Sequence, residues 1–170
     1  MKKEVKVEKR TKNKENYPPF ETWTWRSYDG TPKSFNQFVE ENLDNDYFFI
    51  GTDSHNTGKR ATFTTAVVAY KKGGRGGRII FHSDRTDAVP SVRQRLLFEA
   101  MRSLECGWIL EKKIPDTITL SIHLDVNDNL HFESAKYKEE LVGLIVSQGF
   151  NVAQKPFAWA ATKIAHNRCN

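Results

Sequence analysis

The sequence predicts an α/β domain whose mixed five-stranded sheet is flanked by helices. Two patterns predict this class: three strand-like segments joined by short connections, followed by helical and strand-like segments in alternation. Short connections favour an antiparallel meander of the first three strands, whereas helical crossovers join parallel strands. We therefore expect the fourth and fifth strands to run parallel to the first strand, with the fourth beside it.

The individual elements are predicted from the period of their apolar residues and from the residues that flank them. Residues 47–53 begin apolar on both faces, as a buried central strand does, and residues 117–125 alternate strictly between apolar and polar side chains. Ser34 and Ser91 are the expected N-caps of the first two helices. The predicted elements, in order, are helix 35–43, strands 47–53, 61–70 and 79–82, helix 92–113, strand 117–125, helix 134–148, strand 150–154 and helix 157–168.

Charge and composition divide the chain into three parts. Residues 1–17 form a basic flexible tail, since residues 1–16 hold +4 of the formal charge of +5. Residues 18–46 form an N-terminal extension with one short helix, and residues 47–170 form the main domain. A basic tail can contact nucleic-acid phosphates without sequence specificity, and a tail that only improves solubility is the alternative.

Cysteine usage and hydropathy argue against secreted and membrane-spanning classes. Cys106 and Cys169 have no metal-ligand spacing and offer no disulfide framework, which favours a reducing cytoplasmic setting. No apolar run approaches the roughly 18 residues of a membrane span, and the N-terminus lacks an apolar signal segment. We therefore expect a soluble cytoplasmic protein with no membrane partner. The glycine-rich run 73–77 lacks the Lys-Ser/Thr ending of a P-loop and predicts a hairpin connection.

Two aspartates follow the carboxyl ends of strands that are predicted to be parallel neighbours. Asp53 ends the first predicted strand and Asp125 ends the fourth. Sites in such sheets form beyond the carboxyl ends of the strands, and hard cations such as Mg²⁺ take carboxylate and phosphate oxygens as ligands. A single aspartate at a strand end can also be only a turn former or helix cap. The prediction of a metal site therefore rests on the pair.

The long helix offers a third acidic ligand. Glu99 and Glu105 are the candidates, and six residues at about 100° each place them well apart around the helix. Glu99 lies nearer the helix start, which packs toward the strand ends, and stands between Leu96 and Ala100 on an otherwise buried stripe. Although helical glutamates are commonly solvated, we expect Glu99, rather than Glu105, to point at the aspartates.

Two histidines lie near these acids in the sequence. His123 shares a strand face with Asp125 and could tune the site, although a hydrogen-bonded sheet histidine is the alternative. His55 follows Asp53 in the expected loop, where it is either a surface residue or a substrate contact. Trp159 in the last helix is expected in the core.

Three sequence motifs near the candidate acids and in the C-terminal segment are distinctive. They are Gly51-Thr52-Asp53-Ser54, His123-Leu124-Asp125-Val126-Asn127, and Lys155-Pro156 followed by Ala158-Trp159-Ala160-Ala161. Together they resemble the YkuK-like family of ribonuclease H-like proteins over about residues 34–168. The resemblance implies a ribonuclease H-like fold and a metal-dependent, nuclease-type acidic site. Asp53 and Asp125 match its motifs, and Glu99 matches by helix position.

The resemblance also implies a role for the final helix. Ribonuclease H-like sites commonly take a fourth ligand, usually Asp, from that helix, whereas residues 156–170 contain no acidic side chain. His166 is the residue that aligns with this position, and histidine can ligate a metal or shuttle a proton. The implied site therefore consists of Asp53, Glu99, Asp125 and His166, with Mg²⁺ or Mn²⁺ as cofactor.

Three functions are compatible with these features. The first is a metal-dependent nuclease that hydrolyses phosphodiester bonds in RNA, DNA or a hybrid. The second is a non-catalytic nucleic-acid binding module that retains the fold and an incomplete metal site. The third is a metabolic or scaffold role, because a fold does not fix a function. Titration of Mg²⁺ and Mn²⁺ into the wild type and Asp53→Asn separates the first function from the other two.

Overall fold

Six strands form one mixed sheet within the part of the chain that the computed structural model describes, residues 18–74, 76–126, 129, 131–154 and 165–166. The strands are β1 (Arg26–Ser27), β2 (Tyr47–Thr57), β3 (Arg60–Tyr70), β4 (Gly77–Asp87), β5 (Thr119–Leu124) and β6 (Asn151–Gln154). Their order across the sheet is β1-β4-β3-β2-β5-β6. Strands β2, β3 and β4 form an antiparallel meander, and β5 and β6 run parallel to β2.

The prediction of five strands is wrong at one edge of the sheet, where β1 adds a sixth strand. Arg26 pairs with Phe81 and Ser27 with Ile80, both antiparallel. Two residues are too short to show an alternating pattern, so the sequence gives no period-2 signal for this strand. The predicted directions of the other five strands are confirmed, and so is the position of β5 beside β2.

The meander strands are longer than predicted, and this changes the surroundings of Asp53. The β2–β3 ladder runs from the pair Tyr47↔Tyr70 to the pair Thr57↔Arg60. The polar end of the ladder is also β-strand, because each residue there pairs with a residue on the neighbouring strand. The spacing of apolar residues in the sequence does not reveal this pairing. Asp53 therefore lies inside β2 and does not end it, contrary to the prediction.

Three α-helices flank the sheet in the described residues: α1 (Phe35–Glu40), α2 (Val92–Glu111) and α3 (Lys138–Ser147). Short 3-10 helices cover Phe20–Thr22 and Glu133–Tyr137, so the third helix begins later than predicted. The predicted N-caps are confirmed, since the Ser34 and Ser91 side chains accept hydrogen bonds from backbone N–H groups of their helices. The predicted final helix lies outside the described residues, apart from residues 165–166.

One hydrophobic core joins the N-terminal extension to the rest of the domain. Phe48 and Ile50 of β2 pack in it with Leu104 of α2, and all three are fully buried. The extension contributes Trp23, Trp25, Phe35, Phe38 and Val39 to the same core. Residues 18–46 thus fold onto the sheet together with the main domain. No helix within the described residues is both long enough and apolar enough to cross a membrane.

Candidate active site

Asp53 lies on β2, two residues beyond the segment that pairs with β5. Its Oδ1 accepts a hydrogen bond from the backbone N–H of Ser54 at 2.9 Å, and its Oδ2 lies 3.0 Å from Nδ1 of His166. Burial raises the pKa of Asp53, and the charge of Asp125 raises it further against the opposing effect of these hydrogen bonds. Asp53 is therefore a desolvated carboxyl group with a second carboxyl group nearby.

Glu99 reaches the same region from α2. Its side chain is buried, with 7% of the residue exposed, and its Oε1 accepts a hydrogen bond from Oγ of Ser54 at 2.5 Å. Burial raises the pKa of Glu99 to about 8, and the charges of Asp53 and Asp125 add to the increase. At neutral pH the isolated protein therefore holds Glu99 mostly in its protonated form.

Asp125 follows the last residue of β5 and is half-buried. Its charge contributes to the raised pKa values of both Asp53 and Glu99. Carboxyl groups from β2, from α2 and from the end of β5 thus share one electrostatic environment. This is the juxtaposition that the positions of the two aspartates and the helix predict from the sequence.

His166 contacts the acidic residues through Asp53, and the side chain of His166 is 61% exposed. Because one ring nitrogen lies against the Asp53 carboxylate, the imidazole is oriented while the rest of the ring remains open to solvent. The structure therefore places His166 beside Asp53.

Glu105 points to a different part of the molecule. Its Oε1 accepts a hydrogen bond from the backbone N–H of Phe20 at 3.1 Å, so it holds the N-terminal extension against α2. Glu99 and Glu105 therefore diverge around the helix, as their six-residue spacing requires.

Ser54 is the residue that the sequence argument did not assign to the site. Its backbone N–H donates to Asp53 and its hydroxyl donates to Glu99, so one residue links the β2 acid to the α2 acid. Its place directly after Asp53 is the only signal in the sequence, since the contact with Glu99 depends on how α2 packs.

A buried hydroxyl pair fixes α2 against β2 beside the acids. Oγ1 of Thr52 lies 2.8 Å from Oγ of Ser103, and both residues are buried. Thr52 precedes Asp53, and Ser103 lies one helical turn after Glu99. This contact therefore limits relative movement of the two acidic side chains.

The other two histidines near the aspartates differ in burial. His123 is 3% exposed, its ring lies 4.8 Å from that of Phe49, and burial lowers its pKa to about 4. It is therefore neutral and packed inside the sheet. His55 is exposed and pairs with Thr62 in the β2–β3 ladder, so the prediction of a loop position is wrong. The position of Trp159 lies outside the described residues.

Comparison with models of known protein families identifies the family to which this chain belongs. A family model described as ribonuclease H-like matches residues 32–170, which is most of the chain. This chain belongs to the ribonuclease H-like family. The resemblance to YkuK-like proteins of this kind is thereby confirmed. No curated protein and no solved structure matches the chain. Family membership supports a nuclease-like or nucleic-acid-binding fold.

Proteins with a ribonuclease H-like fold usually use divalent metals, and the donor atoms of the acidic side chains can be compared with the ligands that such ions prefer. Asp53, Glu99 and Asp125 supply the oxygen donors that hard cations prefer. Burial and neighbouring carboxylates raise the pKa values of Asp53 and Glu99, so ionisation of these acids is unfavourable unless a cation offsets their charge. Among the described residues, however, no three His, Cys, Asp or Glu side chains already stand in a metal-holding arrangement. The donor chemistry fits a cation, whereas the ligating geometry is not preformed.

Proposed function

We propose that this ribonuclease H-like protein is a divalent-metal-dependent nuclease that hydrolyses phosphodiester bonds in RNA, DNA or a hybrid. The observation that carries the proposal is the convergence of Asp53, Glu99 and Asp125: burial and the charge of Asp125 raise the pKa of Asp53, and burial and the charges of both aspartates raise that of Glu99. Acidic groups held together at this electrostatic cost are characteristic of functional sites. Mg²⁺ or Mn²⁺ is the expected cofactor, because both take carboxylate and phosphate oxygens.

In this proposal the acidic side chains bind the ion, and neighbouring residues orient those side chains. Asp53, Glu99 and Asp125 would be the protein ligands, and an ion held there would supply positive charge that stabilises the phosphodiester during hydrolysis. Ser54 orients Glu99 through its hydroxyl and Asp53 through its backbone N–H. His166 orients the second oxygen of Asp53, and its exposed ring can exchange a proton with the substrate or with water.

The competing function is a nucleic-acid binding module without catalysis. The absence of a preformed metal-holding cluster in the described residues favours it. So does the substitution of histidine for the usual acidic residue of the last helix. Replacing a carboxylate by a neutral imidazole lowers the negative charge of the site, which weakens its attraction for a second hard cation.

Calorimetric titration of Mn²⁺ and Mg²⁺ separates the two functions when it is combined with a cleavage assay. We expect the wild type to bind Mn²⁺ and to cleave a labelled nucleic acid, and Asp53→Asn to lose both activities while remaining folded. Glu111→Gln is the matched control, since Glu111 lies exposed at the far end of α2. Binding of nucleic acid by the wild type without metal binding or cleavage would refute the nuclease and leave the binding module.

A further inference from the structure

We propose that Arg95 binds a phosphate group of the nucleic-acid substrate at the acidic site. This inference rests on the proposed nuclease function and extends it to the recognition of the substrate's anionic backbone. A site made of carboxyl groups repels a phosphodiester, so the protein must offer it a positive side chain as well as a metal ion. Arg95 is the side chain on α2 that meets this requirement.

The three arginines of α2 differ in their partners. Arg93 forms an ion pair with Glu140 at the surface, and Arg102 is fully buried against the carboxylate of Asp84, with contacts of 3.1 and 2.7 Å. The side chain of Arg95 forms no hydrogen bond or ion pair within the part of the chain that the structure describes, and its Nε is buried without a hydrogen-bond partner there. A guanidinium group with no hydrogen-bonded partner among the described residues keeps its remaining N–H donors for a ligand that approaches the exposed part of the side chain.

The position of Arg95 on α2 directs it to the acids. Arg95 precedes Glu99 by four residues, so the two side chains lie on one face of the helix. Arg95 remains partly exposed, so a ligand can reach it.

The same position is unfavourable for the helix itself. Arg95 lies near the start of α2, where the helix dipole favours negative charge, and the first turn of α2 contains no acidic residue. A bound phosphate would supply the missing negative charge at this end of the helix.

Guanidinium chemistry suits this role. Arginine presents N–H groups in a planar arrangement that can bind two phosphate oxygens at once, whereas lysine offers a single point charge. Arg95→Lys should therefore keep the charge but lose part of the binding, and Arg95→Gln should lose both charge and geometry. Arg93→Gln is the matched control, because it removes one charge from the same end of α2 at a residue that already has a partner.

The test measures binding and cleavage on the same labelled probes: an RNA, a DNA and an RNA–DNA hybrid of one sequence. Fluorescence anisotropy gives affinity with Ca²⁺ in place of Mn²⁺, and gel electrophoresis gives cleavage with Mn²⁺. We expect Arg95→Gln to weaken binding of the preferred probe roughly 10- to 100-fold, as loss of a charged hydrogen bond does. Arg93→Gln should change it by less than about threefold, and Arg95→Lys should be intermediate. The salt slope should fall by about one in Arg95→Gln.

The outcomes distinguish this inference from the nuclease proposal. If the wild type binds without cleaving and only Arg95→Gln loses affinity, Arg95 retains its role and the nuclease is refuted. If the wild type cleaves the probe and the Arg95→Gln and Arg93→Gln variants bind it equally well, the proposed nuclease function is supported and the role of Arg95 is overturned. A wild type that binds none of the three probes overturns both. Thermal melting of every variant shows whether lost binding reflects unfolding.

Discussion

Glu99→Gln should stabilise the metal-free protein, and increasingly so as the pH rises. Burial raises the pKa of Glu99 from its ordinary 4.5 to about 8 in the folded state. Between these two values the unfolded chain releases a proton that the folded protein retains. Stability is therefore greatest below the lower value and is lost as the pH rises through the higher one. Glutamine keeps the shape and still accepts the hydrogen bond from Ser54, but it does not ionise.

The size of the effect follows from the distance between the two pKa values. At about 1.36 kcal/mol for each pKa unit, the full separation corresponds to an upper limit of about 5 kcal/mol. Because pH 7 lies between the pKa values of Glu99 in the unfolded and folded states, only part of this limit applies. The expected difference in the free energy of unfolding between the wild type and Glu99→Gln is about 3 kcal/mol at this pH. The side chain is 7% exposed, so screening by solvent reduces this figure little.

Urea denaturation in the presence of a chelator measures the difference directly. The free energy of unfolding of the wild type should fall relative to that of Glu99→Gln as the pH is raised from mildly acidic to mildly alkaline. Glu111→Gln, an exposed glutamate at the end of the same helix, should follow the wild type. Parallel pH profiles for the wild type and Glu99→Gln would show that Glu99 titrates normally and would refute the argument.

Three further perturbations test other parts of the site and the chain. Ser54→Ala removes the hydrogen bond that lowers the pKa of Glu99, so Mn²⁺ affinity measured by calorimetry should fall roughly tenfold; an unchanged affinity would exclude Ser54 as an orienting residue. Mn²⁺ should support more cleavage than Mg²⁺, and His166→Asp should improve the use of Mg²⁺ whereas His166→Ala cuts activity without unfolding the protein. Equal activity with both metals and an inert His166→Ala would leave His166 as a surface residue. Deletion of residues 1–16 should leave the melting temperature nearly unchanged and flatten the salt dependence of nucleic-acid binding, and a large loss of stability would contradict this.

The sheet and the two aspartates could be predicted because their signals are local. Apolar runs and strict alternation identify strands, and the rule for crossovers then places β5 beside β2. Glu99 followed from helix geometry and position, since a six-residue spacing cannot put Glu99 and Glu105 on one face and Glu99 lies nearer the start of the helix. All of these features depend on spacings along the chain.

The remaining features depend on tertiary contacts that no local pattern encodes. The Arg26–Ser27 strand is too short to show a period, and β2 continues past Asp53 only because β3 offers it partners. The contact of Ser54 with Glu99 requires α2 to lie against β2 at one particular rotation. Helix spacing places Arg95 on the face of Glu99, but its lack of a partner is visible only in the structure.

Anomalous X-ray scattering from crystals grown with Mn²⁺ tests the central claim most directly. The claim is that Asp53, Glu99 and Asp125 bind a divalent cation together. It predicts an anomalous peak with oxygen atoms of all three residues within about 2.0–2.6 Å, and the loss of this peak in Asp53→Asn. A Mn²⁺ peak elsewhere, or none at these acids while Glu99 keeps its hydrogen bond with Ser54, would contradict the metal site and the nuclease proposed from it.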